Sequence, residues 1–150
     1  MHHNNVSTFL WFDSNADEAA RFYCGIFANS KITGTVGNSG TSFELNGQRF
    51  IAFNGGPHYK LTAAVSIYVP CTTQAEVDAL WERFLAAGSK EVQCGWLVDT
   101  FGLSWQIIPN QLIELMSDPD RAKADRVVAA MMKMQKIDIA ALQRAASAHA

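Results

Sequence analysis

Alternation of apolar and polar positions is clearest in the stretch CGWLVDTFGLSWQIIP, from Cys94 to Pro109. Cys94, Trp96 and Val98 interleave with Gly95, Leu97 and Asp99; further on, Ser104, Gln106 and Ile108 interleave with Leu103, Trp105 and Ile107. A period of two sends successive side chains to opposite faces of an extended strand, so the stretch predicts an antiparallel hairpin. Asp99-Thr100-Phe101-Gly102 is its turn: Asp favours the first position, and Gly at the fourth can take the positive φ that closes a bulge. With that bulge, Trp96 and Gln106 sit opposite each other on one face.

The rest of the chain alternates between this rhythm and a helical one. Thr8 to Phe12 is a short apolar strand, followed by a helix that Asn15 and Glu18 open with the spacing of a capping box. Ala19, Phe22, Tyr23, Ile26 and Phe27 form its apolar face, and Gly25 inside it predicts a close backbone approach. Lys31 to Val36 reads as a strand. Ser42 to Leu45 and Gln48 to Phe53 flank Asn46-Gly47, a strong short-range hairpin signal, and Asn54-Gly55-Gly56-Pro57 opens a linker to about Leu61.

The plan then repeats. Ala64 to Val69 is a strand, and Thr73 and Glu76 again have capping-box spacing. Val77, Leu80, Trp81 and Phe84 face one side of the second helix, Gly88 stops it, and the Cys94 to Pro109 hairpin closes the copy. The strand before that hairpin is short or missing. Two βαβββ modules, at about 6–56 and 63–109, therefore make one α+β domain, their concave sheet faces enclosing a cleft. C-terminal helices occupy about 110–148: Asp118 with Pro119 opens one, carrying Val127, Val128, Met131 and Met134, and Asp138 opens another, carrying Ile139 and Leu142. Met131, Met132 and Met134 read as core or subunit contacts.

Composition narrows the function. A chain of 150 residues with a formal net charge of -2 has a core burying roughly 70% of its unfolded surface and no electrostatic footprint for nucleic acid or anionic membrane. No apolar run approaches a membrane span, and the N-terminus lacks the pattern of a secretion signal, which predicts a cytoplasmic protein. Three cysteines at unrelated spacings predict free thiols. Candidate chemistry therefore rests on the cleft face, whose candidate ligand-binding residues are Thr8, Leu10, Ser66, Cys94, Trp96, Ser104 and Gln106. Gln106 either contacts a ligand or bonds a neighbouring strand side chain. Cys94 reads as an inert half-buried thiol, since no His or Lys beside it in sequence lowers its pKa. Trp11, Trp81 and Trp105 are assigned to the core, Asp13 and Asp99 to turns and caps. Gly55-Gly56 lacks the following helix of a phosphate loop.

Phe12-Asp13-Ser14, the Phe22-Tyr23 pair with Phe27, Asn54-Gly55-Gly56-Pro57, CGWLVDTFGLSWQIIP and the tail MMKMQKIDI together resemble the PhnB-like branch of the vicinal oxygen chelate superfamily. That superfamily includes glyoxalase I, extradiol dioxygenases and bleomycin-resistance proteins, and this branch often carries the label 3-demethylubiquinone-9 3-methyltransferase. The resemblance covers nearly the whole chain. It implies the paired βαβββ fold, a homodimer, and four cleft positions for metal ligands, which correspond here to Thr8, Ala52, Ala64 and Gln106. Alanine offers no ligand atom, so no metal and no other cofactor are expected. The expected activity is metal-independent binding of a small organic molecule. The alternative is an enzyme, either the methyltransferase of the label or a lyase or isomerase. The chain has no glycine-rich strand-to-helix turn of the kind that cradles a nucleotide-like cofactor.

Overall fold

In the computed structural model, which describes residues 6–148, the chain divides into two compact units, Met1–Thr62 and Ala63–Ala150. The first unit runs β1 (Thr8–Phe12), α1 (Ala16–Ile26), β2 (Ser30–Val36), β3 (Gly40–Leu45) and β4 (Gln48–Asn54). Its sheet has the order β1-β4-β3-β2, with β1 parallel to β4 and the other pairs antiparallel. Asn46 and Gly47 both take positive φ and join β3 to β4, the geometry that matches the twist of a two-residue hairpin.

The second unit repeats this order: β5 (Ser66–Cys71), α2 (Gln74–Ala86), β6 (Lys90–Glu91), β7 (Trp96–Val98) and β8 (Ser104–Pro109). Its sheet is β5-β8-β7-β6. The strand expected to be short or missing is β6, reduced to two residues. The βαβββ repeat is thus present twice, and each hairpin turn joins neighbouring antiparallel strands as its sequence predicts. Among the described residues no helix is long and apolar enough to cross a membrane.

Local details depart from the sequence reading where a distant partner intervenes. Asn15 precedes α1 but makes no side-chain cap; the N–H of Ala16 donates instead to Asn54 Oδ1 at 2.8 Å, because β4 ends beside the helix start. At α2 the cap is the expected one, with Thr73 Oγ1 accepting from the Glu76 N–H at 3.2 Å. The Glu76 carboxylate reaches back one residue further than a capping box requires, accepting from the Thr72 N–H at 2.7 Å. Gly25 meets nothing on the side where a Cβ would point, so no close backbone approach explains it.

Three helices follow β8, one more than the sequence pattern showed: α3 (Asn110–Met116), α4 (Arg121–Met131) and α5 (Ile139–Ser147). Asp120, not Asp118, caps α4 by accepting from the Lys123 N–H, while Asp118 Oδ2 takes the Lys123 ammonium at 2.6 Å. Asp138 caps α5 as predicted. Ile108, Leu112, Val127, Ile137, Leu142 and Ala146 form a buried cluster against which Met131 and Met134 pack. The apolar faces of these helices are therefore spent mainly on one another and on the end of β8.

Candidate functional site

Each sheet has one face covered by its helix and one face open. In the second unit the covered face carries Leu97, Trp105 and Ile107, all fully buried, with the Trp105 ring 5.1 Å from that of Phe84 on α2. The register places two cross-strand rows on the opposite face. One is Tyr68, Gln106 and Trp96; the other is Ser66, Ser104, Val98 and Lys90. Further along β8, Ile108 is taken into the helical cluster, so the open part of the face ends at Gln106.

The hairpin that builds this face is fastened by Asp99. Its Oδ1 accepts from the N–H groups of Phe101 at 2.9 Å and Leu103 at 3.0 Å, and its Oδ2 from Trp105 Nε1 at 2.8 Å. Gly102 takes positive φ as the bulge requires. The carboxylate is a structural anchor, which agrees with its assignment to a turn, and its link to Trp105 ties the turn to the core.

Gln106 sits opposite Trp96 and opposite Tyr68. Its Nε2 donates to Ser66 Oγ at 2.9 Å, so the amide is oriented by a neighbouring strand, one of the two roles its position allowed. Oε1 has no hydrogen-bond partner among the described residues and remains available as an acceptor. Ser104 is buried beside this pair. Tyr68 was missed by the sequence reading, although strand parity with Ser66 points to it. It is 46% exposed, and partial burial, with Cys71 nearby, raises its phenol above the ordinary value.

Cys94 does not belong to this row. Cys94 and Gly95 both take positive φ and form the turn between β6 and β7, closed by a bond from the Trp96 N–H to the Gln93 carbonyl. Their N–H groups donate to the carbonyls of Met134 at 2.8 Å and Gln135 at 2.7 Å, and Cys94 Sγ lies 3.7 Å from Met132 Sδ. The alternation that placed Cys94 on the strand stops one turn too early, because Gly95 reverses the chain. Of the other thiols, Cys71 is buried and pushed up to about 11 by desolvation and by the nearby Glu76 carboxylate.

In the first unit the parity is the reverse of the expected one. Thr8 shares the helix-facing side with Leu10, Phe50 and Ala52, and Leu10 is only 2% exposed. The open face carries Phe9, Trp11, Ile51, Phe53, Ser42, Glu44 and Arg49. Trp11, expected in the core, instead lies among open-face aromatics, with ring centroids 5.4 Å from Phe53 and 5.0 Å from Tyr59. Its indole N–H donates to the Gly56 carbonyl at 2.9 Å, and its ring occupies the space a Cβ on Gly55 would need. The Asn54 to Pro57 segment is therefore glycine-rich because it seats Trp11. In the same unit, Ser7, Thr33, Ser42, Glu44, Arg49 and Ile51 contribute to the lining of a concavity of about 260 Å³.

Four positions correspond, by the resemblance, to the metal ligands of the superfamily. Thr8 and Ala52 face α1, Ala64 precedes β5, and Gln106 alone offers a ligand atom on an open face. Among the described residues no three His, Cys, Asp or Glu side chains are grouped so as to hold a metal ion.

Two βαβββ units, each with a helix covering one face of its four-stranded sheet, are the fold of the glyoxalase and bleomycin-resistance proteins, the vicinal oxygen chelate superfamily. Within it, residues 4–108 match the family model described as 3-demethylubiquinone-9 3-methyltransferase, and the chain belongs to that PhnB-like family. No curated protein matches the chain. Among solved structures, a PhnB protein of Bacillus cereus with a provisional 3-demethylubiquinone-9 3-methyltransferase label is 29% identical. That alignment has a TM-score of 0.61 and covers 71% of this chain and 99% of that one. Protein PA1353 of Pseudomonas aeruginosa shares the fold at 17% identity and TM-score 0.58, over 71% of this chain and 98% of its own. The fosfomycin resistance protein FosX of Listeria monocytogenes does so at 20% identity and TM-score 0.54, over 71% and 91%.

Proposed function

We propose that this chain is a metal-independent binding protein for a small, planar, partly apolar organic molecule, held on the open face of the β5-β8-β7-β6 sheet. The observation that carries the reading is the row of Tyr68, Gln106 and Trp96. Two aromatic side chains flank an amide whose Nε2 is fixed by Ser66 while its Oε1 stays free to accept from a ligand hydroxyl. Aromatic walls supply buried area, and one oriented amide supplies direction. Ser66 acts as the positioning residue, and Ser104 fills the floor. The row contains no carboxylate or histidine to serve as a general base, so its residues favour binding over the methyl transfer in the family's description.

The test uses 6-hydroxy-2-acetonaphthone as a neutral probe, followed by isothermal titration with and without EDTA. Binding should be indifferent to the chelator. Gln106→Ala should weaken it by about 1 to 3 kcal/mol, the cost of leaving a buried polar group unpaired, and Trp96→Ala should weaken it by a similar amount. Affinity that collapses in EDTA, or that survives both substitutions, sinks the reading.

We also propose that the protein is a homodimer. Support comes from the exposed apolar side chains Phe9, Tyr59, Val65 and Tyr68, and less from the C-terminal helices, whose apolar faces pack mainly on one another and leave Ile113 and Met132 exposed. Sedimentation velocity at micromolar concentration is expected to show a dimer; a monomer alone would refute it.

A further inference from the structure

We infer that the ligand of the second unit's open face carries an anionic group, a carboxylate or another oxyanion, and that Lys90 recognises it. The inference rests on the binding reading above and adds the charge of the ligand to it. Register sets Lys90 opposite Val98 on β7, in line with Ser104 on β8 and Ser66 on β5. Its side chain therefore shares the face of the Tyr68, Gln106 and Trp96 row. Lys90 takes part in no ion pair among the described residues.

The carboxylates near this sheet are engaged elsewhere. Glu91, the next residue, points to the opposite face, where its Oε1 accepts from Trp81 Nε1 at 2.7 Å. Asp99 is consumed by its two backbone N–H groups and the Trp105 indole. Asp78 on α2 is paired with Lys136 at 2.7 Å. Among the described residues, these two cross-strand rows thus present one ammonium, hydroxyls and an amide, with no acidic group, although the whole chain has a formal net charge of -2. A cation kept apart from carboxylates on an otherwise uncharged face selects for an anion and against a cation. Strands two apart lie about 10 Å from each other, a span that a two-ring aromatic acid covers when its ring lies on Trp96 and the lysine stem bends toward it.

The first unit, taken by itself, shows the same sign. Lys31, Glu44 and Arg49 are cross-strand neighbours on its open face, two cations to one carboxylate.

Three naphthalenes matched in size test the inference by isothermal titration at low ionic strength: 6-hydroxy-2-naphthoate, neutral 6-hydroxy-2-acetonaphthone, and 6-(aminomethyl)-2-naphthol as the cation. The acid is expected to bind about two- to fivefold more tightly than the ketone, the range for a partly exposed charge pair. That preference should shrink as salt is raised. Lys90→Gln, at an exposed edge position, should abolish the preference and leave the ketone's affinity unchanged. Equal binding of acid and ketone, tighter binding of the amine, or a preference that persists in Lys90→Gln would overturn the inference while leaving the binding reading intact. Failure of all three compounds to bind overturns both.

Discussion

Gly95→Ala is expected to lower stability by about 2 to 5 kcal/mol, the sum of an alanine forced to positive φ and an overpacked contact. Gly95 has φ +83°, and a Cβ there would fall 2.8 Å from Ile108 Cδ1 and 3.0 Å from both the Ile107 carbonyl oxygen and Ile137 Cγ1. None of these can retreat easily. Ile108 and Ile137 belong to the buried cluster that joins β8 to the C-terminal helices, and the Ile107 N–H donates to the Gly95 carbonyl at 2.8 Å. Gly47→Ala separates the two contributions, since Gly47 has φ +85° but nothing within reach of a Cβ. It should cost only the backbone share, about 1 to 2 kcal/mol. Urea denaturation of the two variants provides the comparison, and equal losses would show that the packing at Gly95 is looser than its distances imply.

Asp99→Ala is expected to cost at least about 3 kcal/mol, because it strands donors in a buried site where each unpaired group costs about 1 to 3 kcal/mol. The side chain is 5% exposed, and removing it leaves the Phe101 and Leu103 N–H groups and the Trp105 indole without this acceptor. Asp99→Asn should fall in between, since the amide keeps one acceptor oxygen and turns an NH2 toward a donor. Denaturation followed by tryptophan fluorescence reads both, and an Asp99→Ala loss below about 1 kcal/mol would mean that water replaces the carboxylate. The consequence for function is direct: the same turn sets the register that brings Trp96 opposite Gln106.

The proposed binding face and the core packing of its hairpin thus occupy opposite faces of the same strands. Trp105, Leu97 and Ile107 hold the sheet to α2, while Gln106, Trp96 and Tyr68 remain available on the other side. Residues of the open face can therefore change without changing the core, because the two sets alternate along each strand.

What the amino-acid sequence determined by itself is what local chemistry enforces. The period-two runs, the Asn46-Gly47 and Asp99 to Gly102 turns, the Thr73 cap and the doubled βαβββ order are all set by residues within a few positions of one another. The pairing of Trp96 with Gln106 followed because turn length controls register. Tertiary structure decided the features in which distant groups compete for the same partner. Thr8 and Leu10 lie in an almost wholly apolar strand, TFLWF, where alternation does not say which face is inward; packing against α1 chose Leu10 and left Phe9 and Trp11 open. Asn54, far along the chain, took over the capping of α1 from Asn15. Cys94 left the strand row because Met134 and Gln135, from the segment between α4 and α5, supplied acceptors for a turn at Cys94 and Gly95. In each case the deciding hydrogen bond or contact joins residues remote in sequence, and a periodic pattern carries no record of a remote partner.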